Sequence, residues 1–143
     1  MAYELHAFST GLLHVFEKFV GSTLLTTENV VSVPKKLSGI TARIDLQGLI
    51  KGKTFLNIDE AGIRNVHAKL ARHDDSDQRL MDTAGELLNM LVGYAQRHSN
   101  VKYAFSVPVT LKGQDHALSL SNSNVEGVKF VFDDCIILFV LSS

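Results

Sequence analysis

The sequence predicts an α+β fold: a mostly antiparallel sheet of about six strands, packed against two long helices and a shorter one. Three observations point there. Apolar residues recur at three- and four-residue spacing in two long stretches, residues 4–20 and 78–98. Branched and aromatic residues cluster in short runs bounded by Gly, Pro, Asn and Asp. The segments come grouped, one helix, three strands, two helices, then about four strands. Grouping favours α+β over an alternating, doubly wound arrangement.

The first helix takes its core face from Leu5, Phe8, Leu12, Val15, Phe16, Phe19 and Val20, and Gly21 stops it. Residues 23–33 are rich in Thr and Val and end at Pro34, which predicts a strand. Strands over 39–47 and 53–58 flank a short segment that holds Gly48 and Gly52, so they form a hairpin. Asp59 can cap a helix over 60–71 whose inward residues are Ile63, Val66 and Leu70. A polar loop, Arg72 to Asp77, precedes the long helix, which Ser76 or Asp77 can cap and which ends near Asn100. Extended segments follow at 101–111 and 116–120. Two last strands, 126–132 and 135–142, are split by Asp133-Asp134. Their apolar runs suit either inner strands or an edge paired with a second copy, so a homodimer is open. No linker or low-complexity stretch divides residues 1–143, which read as one domain.

Composition narrows the function. The 143 residues carry 14 Lys+Arg against 15 Asp+Glu, a formal net charge of −1, so the basic surface that general nucleic-acid binding needs is lacking. The one cysteine, Cys135, excludes an intrachain disulfide framework and a CxxC zinc site. It lies in an apolar run with no His or Lys near it, which predicts a buried, inert thiol. The longest apolar run, residues 135–141, is too short to span a bilayer, and the N-terminus lacks the features of a signal peptide. A cytoplasmic protein is expected.

Several chemical motifs fail on inspection. The stretch from Gly48 to Thr54 approaches a phosphate-binding loop, but only three residues separate its glycines and a strand pattern follows where a helix is needed. The histidines at 6, 14, 67, 73, 98 and 116 show no metal-ligand spacing. His73, Asp74 and Asp75 could touch a metal and would make a metal-dependent enzyme, but a solvated charge cluster is the ordinary state of such a loop. No Gly-x-Ser-x-Gly elbow is present.

The long helix carries more information. At 100° per residue, Leu80, Ala84, Leu87, Leu88, Leu91 and Ala95 form its core stripe. Asp82, Glu86 and Asn89 share the far side, and Gly93 continues that line. Gly85 and Gly93 each cost a helix interior about 1 kcal/mol relative to Ala, which suggests close approach of another element or a partner.

These residues carry a resemblance. Asp82-Thr-Ala-Gly-Glu86-Leu-Leu-Asn89 matches the (Asp/Ser)-x3-Glu-x2-Asn signature of the CheC/CheX family of chemotaxis phosphatases. Gly93 after the signature, the Ser106-Val-Pro108 segment and Gly113 are also similar to the family pattern. Tyr94 stands where many members have Asn, off the signature stripe. Some members have two active helices related by internal pseudo-symmetry. Here His14 and Glu17 occupy the places corresponding to Glu86 and Asn89, so the resemblance implies a single site of the CheX kind.

The resemblance implies hydrolysis of the aspartyl phosphate of a CheY-type response regulator in chemotaxis. Asn89 would insert into the regulator's site and orient the attacking water, while Glu86 would pair with the regulator's lysine. Asp82 would contact the partner or cap local donors, and Gly93 would leave room for the docked surface. This chain would bind no cofactor, and the regulator would supply Mg²⁺. The alternative is a non-catalytic adaptor domain of the same fold, docking on a regulator or on a chemotaxis or flagellar protein.

Overall fold

The computed structural model describes residues 2–30, 33–99, 102–118, 120 and 124–143. Helix α1 (Ala2–Val15) runs into a π-helical turn, Phe16–Val20. Gly21 ends it in a left-handed conformation, φ 81°, and donates its N–H to the Phe16 carbonyl at 2.8 Å. The expected apolar stripe is buried except at Phe19, which is 39% exposed. In a π turn each hydrogen bond reaches five residues back. That wider turn carries Phe19 off the core face.

Strand β1 (Leu25–Val30) follows; residues 31 and 32 of the expected strand lie outside the described residues. Strands β2 (Lys36–Gly48) and β3 (Gly52–Ile58) form the expected hairpin, with Leu46 opposite Gly52. Helix α2 (Glu60–Lys69) is capped by Asp59, whose side chain accepts the Gly62 N–H at 2.6 Å. Helix α3 (Asp77–Arg97) starts at Ser76, but the Ser76 side chain makes no capping bond, and Asp77 instead meets Lys112 Nζ at 2.9 Å. Asn100, the expected end of this helix, lies outside the described residues.

The next boundary departs from expectation. Strand β4 (Tyr103–Phe105) stops early, and β5 (Val109–Ala117) runs through the predicted gap at 112–115. The break falls at Ser106–Pro108 because Pro108 has no N–H for a strand ladder. The turn signal at Gly113–Asp115 is absorbed as an irregularity in the β2–β5 register opposite Leu37–Gly39. Strands β6 (Val125–Phe132) and β7 (Cys135–Ser142) are joined by Asp133 and Asp134, with φ 46° and 64°. A two-residue hairpin with positive φ at both positions suits acidic and amide residues.

The sheet order is β1-β6-β7-β3-β2, after which β4 and β5 both pair with the outer side of β2. Seven strands thus fill six ranks, and every pairing is antiparallel. The apolar strands β6 and β7 are inner strands, which settles the choice left open between an inner and an edge position. Alternate residues meet the helices: Ile40, Ala42 and Ile44 of β2, Leu56 and Ile58 of β3, Phe130 of β6, and Ile137 and Phe139 of β7. The opposite face buries Phe55, Leu138 and Val140 beneath Val33, Leu37, Leu118 and Leu120. Burial on both faces explains why β7 reads as an unbroken apolar run. Cys135 is buried at its start, and burial pushes the thiol pKa up, as do nearby Asp59, Asp133 and Asp134. Among the described residues no helix is long and apolar enough to cross a membrane.

Two contacts fix the helices. Helix α1 crosses α3 at Gly11, where an added Cβ would stand 2.8 Å from the Leu91 carbonyl oxygen. Lys112 of β5 ties the starts of α2 and α3 together, reaching Glu60 at 3.3 Å as well as Asp77. Arg64 and Lys112 hold the Glu60 carboxyl below its ordinary pKa.

Gly11→Ala is expected to destabilise the fold by about 1–3 kcal/mol through overpacking, although helix propensity alone favours Ala by about 1 kcal/mol. Equal midpoints in chemical denaturation would contradict the close crossing. A carboxyl with a lowered folded pKa stabilises above its unfolded value, near 4.3, and that contribution fades as pH falls through the folded value. Lys112→Met is therefore expected to lower the denaturation midpoint at neutral pH, with the difference from wild type shrinking in acid. A difference that grew in acid would contradict the clip.

Candidate active site

Helix α3 lies with its apolar stripe against the sheet. Leu80, Ala84, Leu87, Leu88 and Leu91 are all fully buried, and Ala95 is 1% exposed. Burying each leucine is worth about 1.5–3 kcal/mol, and no comparable term acts on the polar stripe. The helix cannot turn about its axis without exposing that stripe. Asp82, Glu86 and Asn89 consequently stand exposed on successive turns of the outer face, as the spacing predicted.

The Ser106-Val107-Pro108 segment forms the wall beside them. Ser106 is stitched to β2: its N–H donates to the Asp45 carbonyl at 3.0 Å, and its Oγ accepts the Asp45 N–H at 3.0 Å. Pro108 is thereby set over the helix at Gly85, where an added Cβ would lie 3.4 Å from both Pro108 Cβ and Cγ. This is the close approach that the glycine inside the helix suggested. Met81, Asp82, Gly85, Glu86 and Asn89 line the open groove between helix and wall, with exposed Val107 on its rim. At Gly93 a Cβ would meet the far end of Arg97 at 3.3 Å and Phe105 at 3.8 Å. Its missing side chain keeps a second groove open, between α3 and the end of the first helix, lined by His14, Lys18, Phe19, Asn89 and Arg97. Phe19, displaced from the core, thus borders this groove.

Asn89 stands on the ridge between the two grooves. Among the described residues its amide has no hydrogen-bonding partner. Asp82 accepts from Gln78 Nε2 at 2.8 Å, one helical turn back, so it is already engaged by its own helix. Tyr94 is stacked between His14, with ring centroids 4.4 Å apart, and His98, at 4.0 Å. It packs α3 onto α1 and borders the second groove.

Glu86 is also engaged, by a residue that the sequence placed in a solvated loop. Arg72 Nη2 donates to Glu86 Oε2 at 2.9 Å, while Arg72 Nη1 donates to Thr83 Oγ1 at 2.8 Å. Thr83 is fully buried and also meets His67 Nδ1 at 3.1 Å. Only the helical phase of Thr83, buried at the edge of the stripe, hinted at this arrangement. Two of the three residues suggested for a metal are otherwise committed. Asp74 accepts the Ser76 N–H at 3.1 Å and approaches Arg79 at 3.5 Å, and Asp75 pairs with Arg64 at 2.7 Å. The Ser76 N–H holds the Asp74 carboxyl below its ordinary pKa. Among the described residues no three metal-ligating side chains come together.

Comparison with known proteins fits this geometry. The chain is similar over nearly its whole length to the chemotaxis protein CheX of Vibrio vulnificus, with 16% identity, a TM-score of 0.86 and 97% of each chain covered. A CheC-like superfamily protein of a Shewanella species gives 19% identity and a TM-score of 0.85, covering 100% of this chain and 99% of that one. CheX of Borrelia burgdorferi, solved in complex with CheY, BeF3 and Mg²⁺, gives 17% identity and a TM-score of 0.78, covering 96% and 95%. No curated protein matches the chain. The family model described as chemotaxis phosphatase CheX matches residues 40–133, a span that runs from the β2–β3 hairpin through the signature helix to the β6–β7 turn. That match spans well over half of the chain, and the solved structures share its fold: the chain belongs to the CheX family.

Proposed function

We propose that this protein hydrolyses the aspartyl phosphate of a CheY-type response regulator, with Asn89 orienting the water and Glu86 fixing the register. One observation carries the reading. The Asn89 amide is exposed on a ridge with both faces open, one turn beyond a carboxylate, and no neighbour among the described residues claims it.

An acyl phosphate is already activated, so little covalent chemistry is left for the phosphatase. Water oxygen bonds to phosphorus as the bond from phosphorus to the aspartyl oxygen breaks. The regulator's carboxylate leaves with the electron pair, and the water's protons pass to the phosphate product and solvent. In this reading the charge on the transferring group is met by Mg²⁺ and a lysine of the regulator, which leaves positioning of water as the missing part. A primary amide both donates and accepts, so Asn89 can hold a water molecule in one orientation. The complex of Borrelia CheX with CheY holds BeF3, a tetrahedral mimic of the phosphoryl group, together with Mg²⁺. It supports a reading in which the metal comes with the regulator. Glu86 can accept a charge-assisted hydrogen bond from the regulator's lysine. Asp82 would extend the contact by one turn. Gly93 would keep the surface beside Asn89 low enough for a partner to approach.

Phosphate loss from phosphorylated regulators with Mg²⁺ tests the reading. The wild type is expected to accelerate it, and Asn89→Ala to lower kcat by about a hundredfold, the scale for loss of a positioned reactant. No acceleration over a panel of regulators would leave a non-catalytic docking module. Asn89 does not titrate, so the rate is expected to stay flat across neutral pH. A bell-shaped profile centred near a histidine-like value of about 6.5 would contradict water orientation by an amide.

A further inference from the structure

Helix α2 ends unusually. Ala71 takes φ 55°, a left-handed conformation that costs a residue with a Cβ roughly 1–2 kcal/mol. The turn brings Arg72 back beside α3, and its N–H donates to the His67 carbonyl at 3.2 Å. From there the guanidinium bridges two residues one turn apart on α3, Thr83 and Glu86.

The inner end of this bridge is firmly held. Thr83 is fully buried, and its hydroxyl hydrogen has two acceptors in reach, the Arg79 carbonyl and His67 Nδ1, each at 3.1 Å. The oxygen therefore keeps a lone pair for Arg72. His67 is 2% exposed, and its Nε2 lies 2.6 Å from the Asp74 carbonyl. A carbonyl only accepts, so Nε2 carries a proton and the ring orientation is set. The α2–α3 loop is thus tied to the buried end of the same chain of contacts that reaches Glu86.

The outer end is half-open. Arg72 occupies Oε2 of Glu86, and among the described residues Oε1 has no partner. The Glu86 side chain is 46% exposed and borders the groove beside Asn89. A free glutamate explores many rotamers, and fixing it costs up to roughly 1.5–2 kcal/mol. A guanidinium anchored on a buried hydroxyl meets part of that cost before any partner arrives.

We propose that Arg72 is a positioning residue for Glu86: it holds Oε2 from a buried Thr83–His67 anchor and presents Oε1 to the partner's cation. This rests on the reading that Glu86 pairs with a lysine of the regulator. Arg72 touches neither the phosphoryl group nor the water in this arrangement. Its effect falls on docking, and it acts through Glu86.

Steady-state phosphate loss from a phosphorylated CheY-type regulator, over a range of regulator concentrations, tests it. The variants are Arg72→Ala, Arg72→Lys, Glu86→Gln and the Arg72→Ala/Glu86→Gln double mutant. Arg72→Ala is expected to raise KM by about three- to tenfold with kcat near wild type. Arg72→Lys is expected to recover part of the loss. In the Glu86→Gln background Arg72→Ala is expected to add nothing further. A general weakening of the fold would not give that pattern, because its effect would persist without Glu86. Three results overturn the proposal: an unchanged KM in Arg72→Ala, a lower KM that makes Arg72 a competitor for Glu86, or full additivity with Glu86→Gln. In each, the wild type still turns over and only the role of Arg72 falls. If the wild type accelerates phosphate loss from no regulator, the reading of Glu86 itself falls, and the role of Arg72 with it.

Discussion

Everything at this site depends on the rotational phase of α3. Four buried leucines press one side of the helix onto the sheet, and α1 closes on it at Gly11 within van der Waals distance of the Leu91 backbone. A rotation of one residue, about 100°, would put a leucine into water and a carboxylate into the core. Burial of an unpaired carboxylate costs several kcal/mol, far more than any surface contact returns. The outward line of Asp82, Glu86 and Asn89 is therefore a consequence of core packing.

The surroundings then give the three residues different characters. Asp82 leans back on Gln78, Glu86 is tethered by Arg72, and the Asn89 amide is left open between two grooves. On the proposed reading this matches a division of labour. The residue that sets register is pre-ordered, and the residue that handles water keeps its hydrogen-bonding capacity unspent. The wall opposite has its own logic. Ser106 pins the chain to β2, and Pro108 ends the ladder and packs on Gly85. A local rule against proline inside a strand becomes the device that splits β4 from β5 and opens the groove.

Much of this was legible in the sequence, and the failures have physical causes. Helix periodicity placed the signature stripe and the core stripe of α3, because 3.6-residue repetition survives any tertiary context. Asp133-Asp134 marked the last hairpin through side chains that tolerate positive φ. Phe19 was misplaced because a π turn changes the angular step, and apolar spacing carries no sign of it. The boundary at 112–115 was misplaced because a bulge can absorb a turn signal without ending the strand. Arg72 was invisible for another reason. Its partner Glu86 lies fourteen residues away, and the link exists only because Ala71 turns left-handed, a conformation Ala seldom adopts. Composition marks such a loop as solvated; three-dimensional contact places it against Glu86.

On the proposed reading Asn89 serves turnover and Glu86 serves docking, from one helix face. The most direct test is equilibrium binding to a regulator loaded with BeF3 and Mg²⁺, comparing wild type, Asn89→Ala and Glu86→Gln. Asn89→Ala is predicted to bind within about twofold of wild type, and Glu86→Gln about tenfold more weakly, which corresponds to ~1.4 kcal/mol. A loss of affinity in Asn89→Ala as large as that in Glu86→Gln would contradict this division, because the amide would then be a docking contact rather than the holder of a water.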